Sequence, residues 1–347
     1  MGRASYTAFR EDRRRGLLTI GPIVIDGTPL ARRDQEALLR DFDQDPSDWV
    51  LDREEFRPGT VSLTFKRVFI KPARRHTPRT ESTPLPTRGE SQVTVLVSDF
   101  QAPRMDKKFF AATLAYIREI QPYRIGFLGD GPDLATLSRF TPNPWHDDDV
   151  QACINGMHWA LAELRAAAPN AEMFYVPGNH CQRLQSYVLT RARELHGVHR
   201  AGEITPVLSL PHLLCLDDLG IRWIASEFGE WPQSRIRLAP KLTAMHGDLV
   251  RKGAGQSALA LLDRVGHSVI CGHTHRAALV AKTLHNPDGS HSTHLGVECG
   301  TFAQIRGGLS YASDANWQNA FCEARIYSDG TFHLKLHYYQ DGKLFVG

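Results

Sequence analysis

The sequence predicts an α/β fold in which two β-sheets pack against each other. Between residues 91 and 180, short apolar runs alternate with segments that repeat apolar residues at helical spacing, a pattern typical of parallel strands joined by helices. After about Ile221 the pattern consists mainly of strands, and a second, mostly antiparallel sheet would account for it. The length of 347 residues allows one large domain with an appendage.

The first half of this region supplies the predicted parallel sheet. In residues 106–120 the apolar side chains Phe109, Phe110, Leu114 and Ile117 recur on one helical face. The predicted strands here are 93–97, 124–128 and 171–176, and the second predicted helix is 150–168.

The second half contains one predicted helix, at residues 255–265, among seven predicted strands. Those strands are 221–225, 242–245, 268–270, 278–283, 293–298, 321–327 and 331–338.

The N-terminal region is separated from the rest by its composition. Residues 71–90 are rich in Pro, Thr and Arg with almost no large apolar side chains, so we expect a linker. Residues 1–70 form a small α/β extension, with a helix at 30–42 and an alternating strand at 61–70. Its arginines are compatible with a basic arm for nucleic acid or with a solvated surface, and its role stays open.

Composition and charge exclude few binding partners, but they favour one cellular compartment. The net charge of +3 neither requires nor excludes a polyanionic partner, and the oligomeric state stays open. The six cysteines form no C-x-x-C pair, which indicates reduced thiols in a cytoplasmic protein. No apolar run approaches the roughly 18 residues of a membrane span. The pair Arg14 and Arg15 resembles a twin-arginine signal, but Gly21-Pro22 interrupts the apolar run that follows, and a strand is the better interpretation.

Five polar blocks each follow a short hydrophobic run. Carboxylate, amide oxygen and imidazole groups can all bind a metal ion, and the absence of cysteine from the blocks argues against a structural zinc site. Because ligands bind at the carboxyl ends of strands in α/β sheets, we expect the blocks to converge at one edge. The blocks are Asp99-x-Gln101, Gly129-Asp130, Gly178-Asn179-His180, Met245-His246-Gly247-Asp248 and Gly272-His273-Thr274-His275.

In this order, the blocks resemble those of the calcineurin-like metallophosphoesterase superfamily, whose signature is D-x-H, G-D, G-N-H, H and G-H-x-H. The resemblance covers roughly residues 91–347, and four of the five blocks are intact. The departure is Gln101, which stands where the pattern has histidine. The resemblance implies a four-layer α/β/β/α sandwich, in agreement with the two predicted sheets.

The resemblance also implies a ligand set for two divalent ions. Asp99 and His275 would hold the first ion, with Gln101 at the position of a third ligand, and Asp130 would bridge both ions. The second ion would be completed by Asn179, His246 and His273, and His180 would protonate the leaving oxygen. Mixed oxygen and nitrogen ligands suit Mn, which we favour, and also Fe or Zn.

Three polar side chains at this predicted site have more than one interpretation. Gln101 either coordinates an ion weakly, leaves that position to water, or orients the substrate by a hydrogen bond. Arg183 and Arg276 are candidates for phosphate contacts because guanidinium matches phosphate geometry, but either is equally suited to a surface ion pair. Taken singly, each block also occurs in ordinary turns, and only the ordered series indicates a site.

We therefore predict a metal-dependent phosphoester hydrolase in which a hydroxide bridging two ions attacks phosphorus. The segments 137–140 and 178–184 look similar to phage and bacterial phosphoesterases, which favours a phosphodiesterase or nuclease acting on DNA or nucleotides. Gly129-Asp-Gly-Pro-Asp133 lacks the arginine-bearing extension of the Ser/Thr protein phosphatases, so that activity ranks low. The alternatives are a phosphomonoesterase for small molecules and a catalytically degenerate metal- or nucleic-acid-binding protein.

Overall fold

The computed structural model divides the chain into two compact units, Met1–Arg75 and His76–Gly347. Of the predicted linker, residues 71–84 lie outside the described residues. The structure describes residues 9–12, 17–24, 32–41, 49–57, 60–67, 85–139, 149–225, 231–285, 288–305, 309 and 315–347.

The N-terminal unit contains an antiparallel four-stranded sheet in the order β1-β2-β4-β3 and one helix. Its elements are β1 (Phe9–Asp12), β2 (Leu17–Val24), α1 (Arg32–Asp41), β3 (Trp49–Arg57) and β4 (Thr60–Arg67). Val61, Leu63 and Phe65 alternate on the buried side of β4 and pack with Leu38 and Leu39 of α1. The predicted helix and alternating strand of this region are present, and β1 and β3 are additional elements.

The larger unit contains twelve strands and five α-helices among its described residues. The strands are β5 (Ser91–Val97), β6 (Arg124–Leu128), β7 (Glu172–Val176), β8 (Ile221–Trp223), β9 (Arg235–Ala239), β10 (Leu242–Met245), β11 (Ser268–Cys271), β12 (Ala277–His285), β13 (His291–Cys299), β14 (Ala320–Tyr327), β15 (Phe332–Gln340) and β16 (Lys343–Phe345). The helices are α2 (Lys107–Ile120), α3 (Val150–Ala167), α4 (Cys181–Arg191), α5 (Leu210–Leu213) and α6 (Gln256–Val265).

These strands form two mixed sheets. The first sheet has seven strands in the order β16-β15-β14-β5-β6-β7-β8, with β5 to β8 parallel and β14 antiparallel to β5. The second sheet has five strands in the order β12-β13-β11-β10-β9, with parallel pairing of β10, β11 and β13 at its centre. Strands β9 and β12 are the antiparallel edges of the second sheet.

The assignment of every strand after Ile221 to the second sheet is wrong, as is the expectation that this sheet is mostly antiparallel. Strand β8 continues the parallel half of the first sheet, and β14 to β16 extend its other side. An apolar pattern indicates that both faces of a strand are buried, but it does not specify which neighbouring strand it pairs with. Helix α4 and strand β9 were not predicted, and both border the candidate site described below.

The four-layer α/β/β/α sandwich is confirmed by the way each strand divides its side chains. In β5, Leu96 enters the core between the two sheets, whereas Val95 and Val97 enter the core beneath helices α2 and α3. In β7, Phe174 enters the core between the sheets and Tyr175 enters the helix-side core. A separate cluster joins α6 to the outer face of the second sheet. The helices thus lie outside two facing sheets.

Two further expectations concern cysteines and membranes. All six cysteines are free, and five of them are buried. Within the described ranges, no helix combines the length and apolar character needed to cross a membrane.

One buried ionic cluster lies away from the candidate site, between α2 and the strands β14 and β15. The Glu323 carboxylate accepts a hydrogen bond from the Tyr116 hydroxyl and lies 3.5 Å from Nε2 of the fully buried His337. The contact with His337 lowers the pKa of Glu323 to about 2. Burial acts in the opposite direction, and the Tyr116 hydroxyl adds to the lowering of that pKa.

We expect the stabilisation from Glu323 to depend on pH. Because the folded pKa lies below the unfolded value of about 4.3, the stabilisation is complete above about pH 5 and is lost as pH falls towards 2. Glu323→Gln should lower the free energy of unfolding by about 1–3 kcal/mol at pH 7, measured by urea denaturation. Its difference from wild type should shrink from pH 5 to pH 2, whereas Glu163→Gln, at a half-exposed residue in a long ion pair with Arg118, should have little effect at any pH. A difference independent of pH would contradict this assignment.

Candidate metal centre

The five polar blocks meet where strands of both sheets end. Asp99, Asp130 and Asn179 follow β5, β6 and β7 in the first sheet, and His246 and His273 follow β10 and β11 in the second. Backbone hydrogen bonds join these loops, because the peptide groups after β5 donate to those after β6, and Gly272 donates to the carbonyl of His246 at 2.9 Å. The expected convergence at one edge is therefore present.

The site loops adopt a backbone conformation that L-residues rarely use. Of the nine non-glycine residues with positive φ in the described part of the chain, five are predicted ligands. Such conformations cost roughly 1–3 kcal/mol each and concentrate at functional sites. The five are Asp99, Gln101, Asp130, His273 and His275.

One cluster of potential ligands surrounds Asp130. Single ligand atoms of Asp130, His246 and His273 all lie within 4.8 Å of one another. His246 Nε2 is 3.2 Å from Asp130 Oδ2 and 3.1 Å from Asn179 Oδ1. Ligand atoms about 2.0–2.2 Å from a common ion lie roughly 3 Å apart, so these spacings suit a divalent cation.

The ring of His246 is oriented by a backbone group. Its Nδ1 donates to the carbonyl oxygen of Leu128 at 2.6 Å, so Nε2 is the nitrogen that faces Asp130 and Asn179. Metal-binding histidines are usually fixed in this way, because the second ring nitrogen sets both the tautomer and the direction of the first.

A second cluster contains the remaining predicted ligands. His275 Nε2 lies 3.2 Å from Asp99 Oδ1 and 3.4 Å from the amide nitrogen of Gln101. Asp99 Oδ1 and Gln101 Oε1 are both buried and make no hydrogen bond. The other oxygen of Asp99 accepts hydrogen bonds from the Ser98 hydroxyl and from the backbone N–H of His273. His273 thus connects this cluster to the one around Asp130.

These residues fit a divalent metal centre. Buried polar atoms without partners are costly, and a cation would satisfy the oxygens of Asp99 and Gln101. A rotation of the Gln101 amide would exchange its oxygen for the nitrogen that now faces His275. Carboxylate, amide and imidazole groups without thiolate are ligands suited to Mn, Fe or Zn. Coordination by the seven residues stays a prediction.

The electrostatics of the Asp130 cluster are those of a buried ion pair. Although burial opposes it, the neighbouring imidazoles of His246 and His180 hold the pKa of Asp130 below its ordinary value. Burial lowers the pKa of His246, but the Asp130 carboxylate outweighs it and raises that pKa to about 9. Burial and the nearby His246 lower the pKa of His273 to about 4. A metal ion would therefore displace a proton from His246 when it binds.

His180 belongs to a hydrogen-bonded group that was not foreseen. Its Nδ1 lies 2.8 Å from Asp133 Oδ1, and its Nε2 lies 3.7 Å from Asp130 Oδ2. Arg183 contacts both partners, with one terminal nitrogen 3.2 Å from Asp133 Oδ1 and the other 3.0 Å from His180 Nε2. Although burial opposes it, the hydrogen bond from His180 and the charge of Arg183 hold the pKa of Asp133 below its usual range. The available signal was a second aspartate three residues after Asp130 in the same block.

The two candidate substrate arginines both have protein partners. Arg183 lies in the first turn of α4, which brings it back towards His180 and Asp133. Arg276 donates to the backbone carbonyl of Arg251, and its Nε is buried without a hydrogen bond. Contact of either arginine with a phosphate group stays a prediction.

Two tryptophans flank the histidines. The Trp231 ring centroid lies 5.7 Å from that of His246 and 5.8 Å from that of His273. Trp317 meets the His275 ring edge-on at 4.5 Å. No motif identified these residues, since an isolated tryptophan gives no positional signal in a sequence.

Two glycines of the blocks are required by close approach of the ligands. A Cβ on Gly178 would overlap Asp130 Oδ1 and lie 2.8 Å from His246 Nε2. A Cβ on Gly272 would overlap the Ser98 hydroxyl and lie 2.7 Å from Asp99 Oδ2. The glycines therefore let backbone from β7 and β11 approach the ligands of neighbouring strands.

The chain is similar in sequence to two phage proteins. It is 26% identical over 257 residues to the Gene 54 protein of Mycobacterium phage L5, covering 70% of this chain and 90% of that protein. It is 28% identical over 240 residues to the Gene 54 protein of Mycobacterium phage D29, covering 65% and 86%. No protein-family model matches the chain.

Solved structures resemble the chain only distantly. Vacuolar Protein Sorting 29 from Cryptosporidium parvum gives a TM-score of 0.38 at 14% identity, covering 74% of this chain and 96% of that one. Yfce, a phosphoesterase from E. coli, gives a TM-score of 0.29 at 11% identity, covering 70% and 98%. Scores this low carry no functional inference.

Gln101→His tests whether position 101 coordinates. Imidazole is a stronger donor than a neutral amide oxygen, so we expect tighter Mn²⁺ binding by about tenfold, measured by isothermal titration calorimetry. Glu163→Gln, at a half-exposed residue of α3, serves as the control and should leave the affinity unchanged. Equal affinity of Gln101→His and wild type would mean that residue 101 is not a ligand.

Gly178→Ala tests the close approach around Asp130. The added Cβ displaces Asp130 or His246, so we expect Mn²⁺ affinity to fall at least tenfold in the same titration. Gly202→Ala is the control, because nothing lies within 4 Å of the added atom and only its left-handed backbone is strained, which costs about 1 kcal/mol. Unchanged affinity in Gly178→Ala would place the metal elsewhere.

Proposed function

We propose that this protein is a metal-dependent phosphoester hydrolase of the calcineurin-like type. The observation that carries the proposal is the convergence of seven potential ligands at one edge of two facing sheets, with His180 beside them. The proposal is supported by the two clusters of potential ligands, one of Asp99, Gln101 and His275 and the other of Asp130, Asn179, His246 and His273. We infer two divalent ions, with Mn²⁺ the best match to these donors.

The chemistry requires a cation and a proton donor in one place. Divalent ions held by these residues would polarise the phosphoryl oxygens as Lewis acids. They would also lower the pKa of bound water, so that hydroxide would be available as a nucleophile near neutral pH. Asp130 is the carboxylate that we propose as the ligand shared by both ions. We propose His180 as the group that gives a proton to a departing oxygen, because its Nε2 lies 3.7 Å from Asp130 Oδ2.

Asp133 positions His180 for that transfer. An imidazole that donates through Nδ1 to a carboxylate is fixed in orientation, which leaves Nε2 as the nitrogen available to the reaction. Nε2 is the atom that faces Asp130. Arg183 contacts this nitrogen and reaches the same space, where its guanidinium would meet a phosphate oxygen.

The substrate class that we propose is a phosphodiester in nucleic acid or a nucleotide, in the cytoplasm. The support is the likeness of the blocks at residues 137–140 and 178–184 to phage and bacterial phosphoesterases. A phosphomonoesterase and a binding protein without turnover are the competing functions, and the first experiment separates all three.

The experiment combines metal analysis with hydrolysis assays. Purified protein should contain or bind divalent metal, and it should hydrolyse bis-p-nitrophenyl phosphate and a single-stranded oligonucleotide when Mn²⁺ is present. Turnover of p-nitrophenyl phosphate alone would indicate a phosphomonoesterase. Metal-free protein without any turnover in Mn²⁺ would favour a binding protein.

His180→Asn tests the proton transfer specifically. A poor leaving group needs protonation, so kcat for an oligonucleotide should fall by about 10²–10⁴. The p-nitrophenolate leaving group needs no proton, so kcat for bis-p-nitrophenyl phosphate should fall much less. An equal loss on both substrates would instead assign His180 to ion or substrate binding. His199→Asn, in an exposed segment, is the matched control and should retain full activity.

A further inference from the structure

The outer face of the edge strand β9 carries two exposed arginines beside a cavity. Arg235 and Arg237 pair across the ladder with Met245 and Thr243 of β10, and directly opposed residues share a face of the sheet. Met245 packs under α6, so this face is the helix-covered one. On this face lies a cavity with a volume of about 320 Å³. Its lining residues are Arg235, Arg237, Thr243, Val265 and His267.

Among the described residues, no carboxylate neutralises the positive charge of this cavity. Within the described ranges, neither Arg235 nor Arg237 has an ion-pair partner. Asp263, the acidic residue of α6, is paired with Lys282 on β12 and is therefore engaged elsewhere. Two guanidinium groups that lack ion-pair partners and line a cavity are suited to binding an anion, and guanidinium matches phosphate in geometry.

The imidazole in the cavity is influenced by the same charges. His267 is held by a 2.8 Å hydrogen bond between its Nε2 and the Thr243 hydroxyl. Burial, together with the charges of Arg237, His294 and Arg235, lowers the pKa of His267. The cationic groups therefore lie near one another, and His267 adds a neutral hydrogen-bonding ring to the cavity.

Strand β9 connects the two arginines of this cavity to the candidate metal centre. Arg235 opposes Met245, the residue that precedes His246, and Arg237 lies two residues farther along, about 7 Å away. Trp231 begins the short turn before β9 and contacts the ring of His246. One strand thus leads from an aromatic ring at the centre to two unpaired arginines.

We propose that the outer face of β9 binds the backbone phosphates of a single-stranded nucleic acid whose neighbouring phosphodiester lies at the metal centre. Arg235 and Arg237 hold successive phosphates, and Trp231 offers a ring on which a base stacks. Single-strand sites combine a cationic groove with aromatic rings in this way. The cavity has the volume of a small-molecule site, which suits a nucleotide and not a duplex. This inference rests on the proposed function only for the position of the cleaved bond.

A competing explanation is protection of the sheet edge. Charged side chains on an edge strand discourage pairing with another chain, and β9 is such an edge. That explanation needs neither the cavity nor the adjacent tryptophan. It also predicts a different result, because removal of the arginines would then cause self-association and would leave nucleic-acid binding unchanged.

The test is direct binding, measured by fluorescence anisotropy. The full-length, Mn²⁺-loaded protein is titrated into a labelled phosphorothioate oligothymidylate of about 12 nucleotides at several salt concentrations. We expect Arg235→Ala/Arg237→Ala to raise Kd at least tenfold and to reduce the salt slope by about 1.4, since each lost phosphate contact removes about 0.7. Arg235→Lys/Arg237→Lys should restore most of the salt slope, because it restores the charge.

The matched control removes the same charge elsewhere. Arg118→Ala/Arg200→Ala loses two exposed arginines outside the second sheet, and its Kd should change less than twofold. Equal weakening in both double variants would overturn the proposal, since net charge alone would explain it. Failure of the wild-type protein to bind the oligonucleotide would overturn it as well. Self-association of Arg235→Ala/Arg237→Ala with unchanged Kd would assign the arginines to edge protection.

Two further measurements separate this inference from the proposed function. In the first, Arg235→Ala/Arg237→Ala is compared with wild type for binding of thymidine monophosphate. If the double variant weakens this binding as much as it weakens binding of the oligonucleotide, the site binds a mononucleotide and the proposal of a bound strand is overturned. The second measurement is hydrolysis by the wild-type protein. If the double variant selectively weakens oligonucleotide binding but the wild-type protein hydrolyses no phosphoester, the β9 binding site is supported and only the hydrolase proposal is rejected.

Discussion

The candidate centre depends on the packing of two sheets whose parallel strands end at the same edge. Leu96 and Leu128 from the first sheet pack with Ile270 and Val297 from the second in one continuous core. This core fixes the loops after β5, β6 and β7 against those after β10 and β11. No segment of the chain contains a complete ligand set, so the site exists only while the sheets are in register.

The cost of that arrangement is concentrated in the site itself. Two carboxylates are buried and are satisfied in part by backbone donors, with His180 N–H bonding Asp130 at 2.8 Å and His273 N–H bonding Asp99 at 2.9 Å. The left-handed backbone at five predicted ligands adds strain that the surrounding packing must hold. Sites of this kind break local rules because their geometry is selected for a ligand. A cation would offset part of the cost by pairing with the buried oxygens of Asp99 and Gln101.

The sequence was informative where its signal is local. Periodicity located β5, α2, β6, α3 and β7 closely, and the placement of the polar blocks after apolar runs indicated the edge at which they meet. Sheet membership was not accessible, because β14 is largely buried on both faces and its pairing with β5 spans more than 200 residues. Asp133 was missed because its role depends on the turn that brings it to His180. Strand β9 alternates Arg235 and Arg237 with Ile236 and Leu238, the pattern of a half-buried strand, so a local signal for it was present and was missed.

The arginines show how structure changes a prediction about substrate binding. Sequence proximity selected Arg183, since it lies three residues after His180, but its guanidinium already contacts Asp133. A phosphate that binds Arg183 must share the charge with that carboxylate. Arg235 and Arg237 had no motif to mark them, yet they have no described carboxylate partner and keep their full attraction for an anion. We therefore base the proposal of phosphate binding on charge that the described residues leave uncompensated, in preference to distance along the chain from His180.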